Sequence, residues 1–467
     1  MYNVQLRRGC SRAASRGFGL LAGRMKWGCL VVALLLFRQE PVSATAPLSL
    51  TEAYSFAVHH DAQVRSAEAD QAIYQEEVSK ANSAFFPTLR ATVSKGRNQT
   101  ESWTPHQQKP QYYNTVSNAL SLKQPLFNLG SIAGLKQAKA VVAKSELMLA
   151  HEQSALIVRI SEAFFNVLFN EENLTFTRAQ TKASFEQLQQ AKRRCSEGYG
   201  TVTEISEAQA SHDMSIADEA AAVSGLEFSR RELERITGEY AERLCRLSPA
   251  KLALTVPEPA GVGAWLALAE ENNHRLNASR QEIEVSRKEI DKNRAARYPQ
   301  IDLWAGRNYS QSESNYTIGS TYDTYSVSVQ VSVPIYSGGY TSASVRQAVA
   351  RKIKAYDDMQ VQERTVISDV RKYYDAQLNS IVQVKAYEQA VRSHEIALDG
   401  TKKAFLAGFR TNADVLDAQK KLLESRRSLA KARYQYILNN LMLKDSAGVL
   451  RPGDIEVVNS CLEPAGT

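Results

Sequence analysis

The sequence predicts a chain dominated by α-helices, with a small β part that crosses a membrane by pooling strands from several copies. Three observations predict it. The chain is written twice; each copy holds one helix far longer than a globular domain needs; and one segment alternates valine with small polar residues, although nothing behind the leader could form a membrane helix. Glycine and proline are sparse for the length, 23 and 13 in 467 residues, which suits long helices.

Residues 1–44 read as a secretory leader. The apolar run WGCLVVALLLF (27–37) follows a basic stretch and is shorter than the ~20 residues a spanning helix needs. Small-residue cleavage sites follow at Val42-Ser43-Ala44 and Ala44-Thr45-Ala46, and Met25 offers an alternative start. Seven basic residues against Glu40 give the leader a net +6 of the formal +7, so the remainder carries only +1. A nucleic-acid function inferred from the basic balance is thereby excluded. Cys10 and Cys29 leave with the leader; Cys195, Cys245 and Cys461 remain, without metal-ligand spacing. They are expected as free thiols, with a Cys195–Cys245 bridge as the alternative.

The duplication appears as matched residues in constant order. Ala53, Ala57, Val64 and Pro87 match Trp265, Ala269, Leu276 and Pro299 at an offset of 212. Pro125-Leu126-Phe127 and Phe164-Phe165-Asn166 match Pro334-Ile335-Tyr336 and Tyr373-Tyr374-Asp375 at 209. Gly198 and Thr201 match Gly408 and Thr411 at 210. The first repeat is set at 45–256, the second at 257–448, with a tail over 449–467.

Each repeat should run helix, strand, loop, strand, very long helix, tight turn, helix. Ser49, Thr51 and Glu52 open the first helix with capping chemistry, and Phe86-Pro87 stops it after about residue 84. Tyr298-Pro299 stops its counterpart. The clearest strand is SVSVQVSV (326–333), closed by Pro334; Leu89, Ala91 and Val93, then Leu120 and Leu122, give a fainter version in the first half. Taken alone, the alternation fits a soluble sheet with valines inward or a membrane barrel with valines in lipid. Trp304, Tyr322 and Tyr325 would suit an interfacial belt.

The long helices are expected over about 130–196 and 339–407, each ~100 Å at ~1.5 Å per residue. Ile367, Val370, Tyr374, Leu378, Ile381, Val384, Tyr387 and Val391 form a stripe with a period near ~3.4, close to the coiled-coil repeat. A secreted chain with strands and no spanning helix can cross a membrane only as a closed barrel. Four strands from two hairpins cannot close one, since membrane barrels begin at about eight.

Nothing in the sequence suggests an enzyme, a cofactor or a metal centre. Seven scattered histidines, no nucleophile motif and no phosphate loop propose no reaction, and the adjacent His59-His60 point to different faces. The candidate functional residues lie at the two helix–turn–helix tips. Gly198 and Gly408 end the long helices in a left-handed conformation. Thr201-x-x-Glu204 and Thr411-x-x-Asp414 restart them as capping boxes. Glu207 and Asp417 stand three residues further on, so two carboxylates share each helix face. A cap does not need the second acid, and repeated around an oligomer the acids would form cation-attracting rings.

The chain resembles the TolC family of outer-membrane export channels. The resemblance is carried by VPIYSGG (333–339), AGFRTNADVLDAQ (407–419) and ARYQYILNNLMLKDSAG (432–448), and more loosely by QPLFNLG (124–130) and EGYGTVTEI (197–205). It implies a homotrimer in the outer membrane, each chain giving four strands to a shared β-barrel and its long helices to a periplasmic α-barrel tunnel. It implies docking to a periplasmic adaptor and an inner-membrane pump, ABC or proton-driven, in drug efflux or type I secretion. Asp414 and Asp417 would line the periplasmic aperture, and Arg410 with Thr203 and Glu204 would latch it. Two departures stand out: Glu204 where the family commonly has aspartate, and Phe405 where a hydrogen-bonding tyrosine can stand. The competing reading is a soluble periplasmic coiled-coil scaffold or adaptor.

Overall fold

The computed structural model describes residues 47–101, 110–313 and 319–464. The expected leader, with its cleavage sites and alternative start, lies outside the described residues, as do the last three residues of the tail. In chain order the elements are α1 (Leu50–His60), α2 (Ala62–Ser83), β1 (Thr88–Thr100), β2 (Gln111–Phe127), α3 (Leu129–Ser196), α4 (Val202–Thr237), β3 (Arg246–Leu247), α5 (Val262–Asn272), α6 (His274–Ala295), β4 (Gln300–Ser312), β5 (Ser320–Ser332), α7 (Tyr340–Leu406), α8 (Asn412–Ser446), α9 (Pro452–Ser460) and β6 (Leu462–Glu463).

The long helices come within a residue of their expected ends. Asn128 caps α3 by accepting from the Ser131 N–H, and left-handed Gly339 precedes α7. The opening helix departs from expectation, because it is broken rather than continuous. Ser49 and Glu52 form the expected capping box, but α1 ends at Asp61, whose backbone (φ −60°, ψ 120°) is extended. The Asp61 carboxylate accepts from the N–H groups of Gln63 and Val64 at 3.0 and 2.9 Å and starts α2. Asn273 breaks the second half in the same way, between α5 and α6, and lies 212 residues after Asp61. Short Asx side chains compete with the helix for its own N–H groups, so one buried Asx resets the direction. Arg159 of α3 meets the buried Asp61 charge at 3.1 Å.

The main apolar core sits at mid-height of the long helices. Leu156, Ile157, Ile160, Phe164, Phe165 and Leu168 of α3 are almost wholly buried there, against α1, α4 and the Leu429–Leu441 stretch of α8. The small β3–β6 pair and α9 complete that girdle. On α7 the expected stripe is partly displaced. Val370 and Val384 are buried, Tyr387 is exposed, and the seam takes in Val366, Gln377 and Ser380. More than one neighbour packs on this helix, so a single-partner heptad did not describe it.

The four long strands form one antiparallel sheet in the order β1-β2-β4-β5, with β2–β4 joining the two halves. The register sorts its faces. One face carries rows such as Leu89–Leu122–Ala305–Val327 and Leu303–Val329; the other carries Arg90–Ser121–Gly306–Ser326 and Thr92–Ala119–Asn308–Thr324. Val327, Val329 and Val331 are each more than half exposed, so among the described residues nothing covers these valines. Trp304 stands opposite Ser328, on the serine face, with the Lys123 ammonium 5.1 Å from its ring centre. Tyr322 shares that parity, so of the three expected belt aromatics only Tyr325 lies on the valine face. Strand parity, not residue type, decides this. No helix among the described residues is long and apolar enough to cross a membrane.

Candidate functional site

Each hairpin of long helices ends in a tight turn built the same way. At the first, the N–H groups of Tyr199 and Gly200 donate to the Arg194 carbonyl at 2.9 and 3.0 Å, with Gly198 left-handed at φ 82°. At the second, the Phe409 N–H donates to the Ala404 carbonyl at 2.9 Å, with Gly408 at φ 83°. An L side chain would be strained at either glycine, although space is open around both.

The restarts differ. Thr411 and Asp414 form a full capping box: the Asp414 N–H donates to Thr411 Oγ1 at 3.2 Å, and the Thr411 N–H donates to Asp414 Oδ2 at 2.8 Å. Thr201 accepts from the Glu204 N–H at 3.2 Å, but the Glu204 carboxylate does not accept in return from the Thr201 N–H. Hydrogen bonds from the Thr411 backbone and hydroxyl, with Arg410 nearby, hold the Asp414 carboxyl below the usual carboxylate range.

Among the predicted site residues the structure brings Arg410, Thr411 and Asp414 together; Arg410 Nη1 lies 3.6 Å from Asp414 Oδ1. Within the chain it does not bring Arg410 to Thr203 or Glu204. Asp417 pairs with Lys421 at 2.6 Å, which raises the lysine's proton affinity. Glu204 and Glu207 have no ion-pair partner among the described residues. Two participants went unread in the sequence. Lys421 was legible, being four residues after Asp417 on a helix. Arg194, whose guanidinium lies 5.3 Å from the Phe405 ring centre, was not, because that contact crosses from one hairpin to the other.

The tips also expose apolar side chains: Tyr199 (79%), Val202 (72%), Leu406 (84%) and Phe409 (85%) stand largely in solvent. Among the described residues no group of three or more His, Cys, Asp or Glu is placed to hold a metal ion. Cys195, Cys245 and Cys461 are free thiols. The arrangement offers fixed charges and exposed apolar side chains at one end, and a two-faced sheet at the other.

A sequence profile described as outer membrane efflux protein matches the chain twice, over residues 53–239 and 265–449. The chain is 32% identical over 426 residues to outer membrane protein TolC of Vibrio cholerae, covering 91% of this chain and 96% of that protein. It is also 32% identical over 435 residues to the alkaline protease secretion protein AprF of Pseudomonas aeruginosa, covering 91% and 89%. Among solved structures, the CmeC outer membrane channel of Campylobacter jejuni matches with a TM-score of 0.74 at 15% identity, covering 86% of this chain and 85% of that one. The open state of the MtrE outer membrane channel of Neisseria gonorrhoeae matches with a TM-score of 0.68 at 18% identity, covering 87% and 91%.

Proposed function

The chain belongs to the outer membrane efflux protein family, and from that premise we propose that it is a homotrimeric outer-membrane duct that carries cargo and performs no chemistry. The observation that carries the reading is the sheet. Its faces are of opposite polarity, its outer edges on β1 and β5 are unpaired among the described residues, and α3 and α7, each ~100 Å long, run from it. Open edges and an uncovered valine face are unstable in water; both are satisfied when copies close edge to edge in lipid. Three copies of a four-stranded sheet supply twelve strands, enough to close a barrel.

In this reading residues 1–44 address the chain to the envelope, 45–256 and 257–448 are the two repeats that build the wall, and 449–467 is a tail on the girdle. The tips form the periplasmic aperture. Asp414, Asp417, Glu204 and Glu207 set its charge, and Arg410 reaches Thr203 and Glu204 of an adjoining copy to latch it. Tyr199, Val202, Leu406 and Phe409 are the docking surface for a periplasmic adaptor, which couples the duct to an inner-membrane pump of the ABC or proton-driven class. The relatives include both efflux proteins and protease secretion proteins, and the cargo follows from the pump.

The test is single-channel recording in planar bilayers of protein purified from outer membranes, beside D414N/D417N and R410A. Small cation-preferring steps that lose that preference in the double variant, and larger steps in R410A, are expected. A protein that never inserts refutes the duct; unchanged conductance in R410A refutes the latch.

A further inference from the structure

We propose that Arg194 and Phe405 form a clasp between the two hairpins of one chain, so that parting them is a step in opening the aperture; the proposal rests on the duct reading. Phe405 lies in the last turn of α7, half-buried against Val415 and its neighbours on α8. Arg194 lies in the last turn of α3, and its guanidinium covers the ring with 5.3 Å between centres. That is within the ~6 Å at which a cation is held by a ring's quadrupole. The Arg194 guanidinium forms no ion pair among the described residues, so the ring is its engagement.

Two further features make this contact a clasp and not a passing neighbour. Arg194 also supplies the carbonyl on which the first tip turns, accepting from Tyr199 and Gly200. A Cβ on Gly200 would come within 2.8 Å of the Cys195 nitrogen and 3.1 Å of the Arg194 carbonyl carbon, so the turn is packed onto this residue. One residue thus holds the turn that presents exposed Tyr199 and grips the opposite hairpin. The second feature is leverage. The hairpins part around a polar crevice lined by Thr177, Gln180, Asp218, Lys420 and Glu424. They are joined again where Arg427 lies over the Phe169 ring at 5.8 Å. Twenty-five residues separate Phe169 from Arg194, ~37 Å of helix, so the clasp sits at the far end of a long arm. Phe405 lacks a hydroxyl, and the contact needs none.

The test is a double-mutant cycle on the full-length trimer: R194Q, F405L and the double variant, with F405Y as the conservative control. Single-channel open probability is read in bilayers, and deuterium uptake is read in the last turns of α3 and α7. A solvent-exposed cation–ring contact corresponds to a shift of about 2- to 5-fold in the opening equilibrium per chain, or roughly 10- to 100-fold if three chains open together. R194Q and F405L should each raise open probability in that range, the double variant no further, and F405Y should open no more than the parent. R194Q should also speed exchange in the last turn of α7, a residue range it does not belong to. Single variants indistinguishable from the parent, multiplying effects in the double variant, or F405Y behaving as F405L each overturn the clasp. A parent that makes no pore overturns the duct reading instead. The exchange data then decide the contact alone: faster α7 exchange in R194Q supports it, and unchanged exchange overturns it.

Discussion

Asp445 should be a residue whose removal stabilises the protein, and only above mildly acidic pH. It sits one residue before the end of α8, where a negative charge opposes the helix dipole. Burial pushes its carboxyl from the ordinary 3.8 up to about 6; Arg275 counters that shift and Glu152 adds to it. A carboxyl raised in the folded state contributes its full stability below the unfolded value, and loses it as pH rises through the folded one. The window is therefore about pH 4 to 6. Each tenfold change in proton affinity is worth about 1.4 kcal/mol, so two such steps put up to about 3 kcal/mol at stake per chain at pH 8. Asp445→Asn keeps the shape and removes the charge. Thermal unfolding of the detergent-solubilised protein, followed by circular dichroism at one scan rate, should place the variant a few degrees above the parent at pH 8. The two should coincide near pH 4. A variant less stable at pH 8, or an equal gap at both pH values, would refute the reasoning.

Two further outcomes follow from the fold. Val329→Arg places a cation on the valine face and should cost about 2–4 kcal/mol if that face meets the bilayer midplane, seen as lost outer-membrane trimer; Ser328→Arg, one residue earlier on the serine face, should assemble normally and alter conductance. Gly448→Ala adds a Cβ 2.4 Å from the Asn272 carbonyl at φ 71°, where the neighbour is backbone and cannot yield; a loss of about 2–5 kcal/mol should lower both the melting temperature and the yield of folded protein.

The sequence was most informative where a single period governed a long segment. The ends of α3 and α7, the alternation in β5 and the turn glycines all depend on local rules of spacing and backbone conformation, and those rules are written in consecutive residues. The breaks at Asp61 and Asn273 were not foreseen, because an Asx residue inside a helical pattern is ambiguous until burial and a partner such as Arg159 are known. Trp304 was misplaced for a related reason. Its identity suggested an interface, but its face follows from register with Ser328 and Lys123, which one strand's sequence does not contain. At the tips, capping was legible and the Arg194–Phe405 contact was not, since it joins residues more than two hundred positions apart.

The charge bookkeeping at the tips leads to a sharper prediction than a simple acidic ring. Asp414 and Asp417 are matched by Arg410 in the turn just before α8 and by Lys421 within it, at 3.6 and 2.6 Å, so this group sums to zero. Glu204 and Glu207 lack such partners among the described residues, so these six side chains together carry two negative charges per chain. Fields sum over the Debye length, about 8 Å at physiological salt, so an ion at the aperture responds to the local sum and not to one carboxylate. Replacing both glutamates with Gln should abolish the cation preference. Replacing both aspartates with Asn strands Arg410 and Lys421, whose two charges then cancel those of Glu204 and Glu207, so this variant too should lose the cation preference without reversing it. Reversal potentials across a salt gradient should therefore fall close to zero in both variants. If the glutamate pair leaves selectivity untouched while the aspartate pair removes it, Arg410 and Lys421 do not screen the aperture, and the aspartates alone face the ion path.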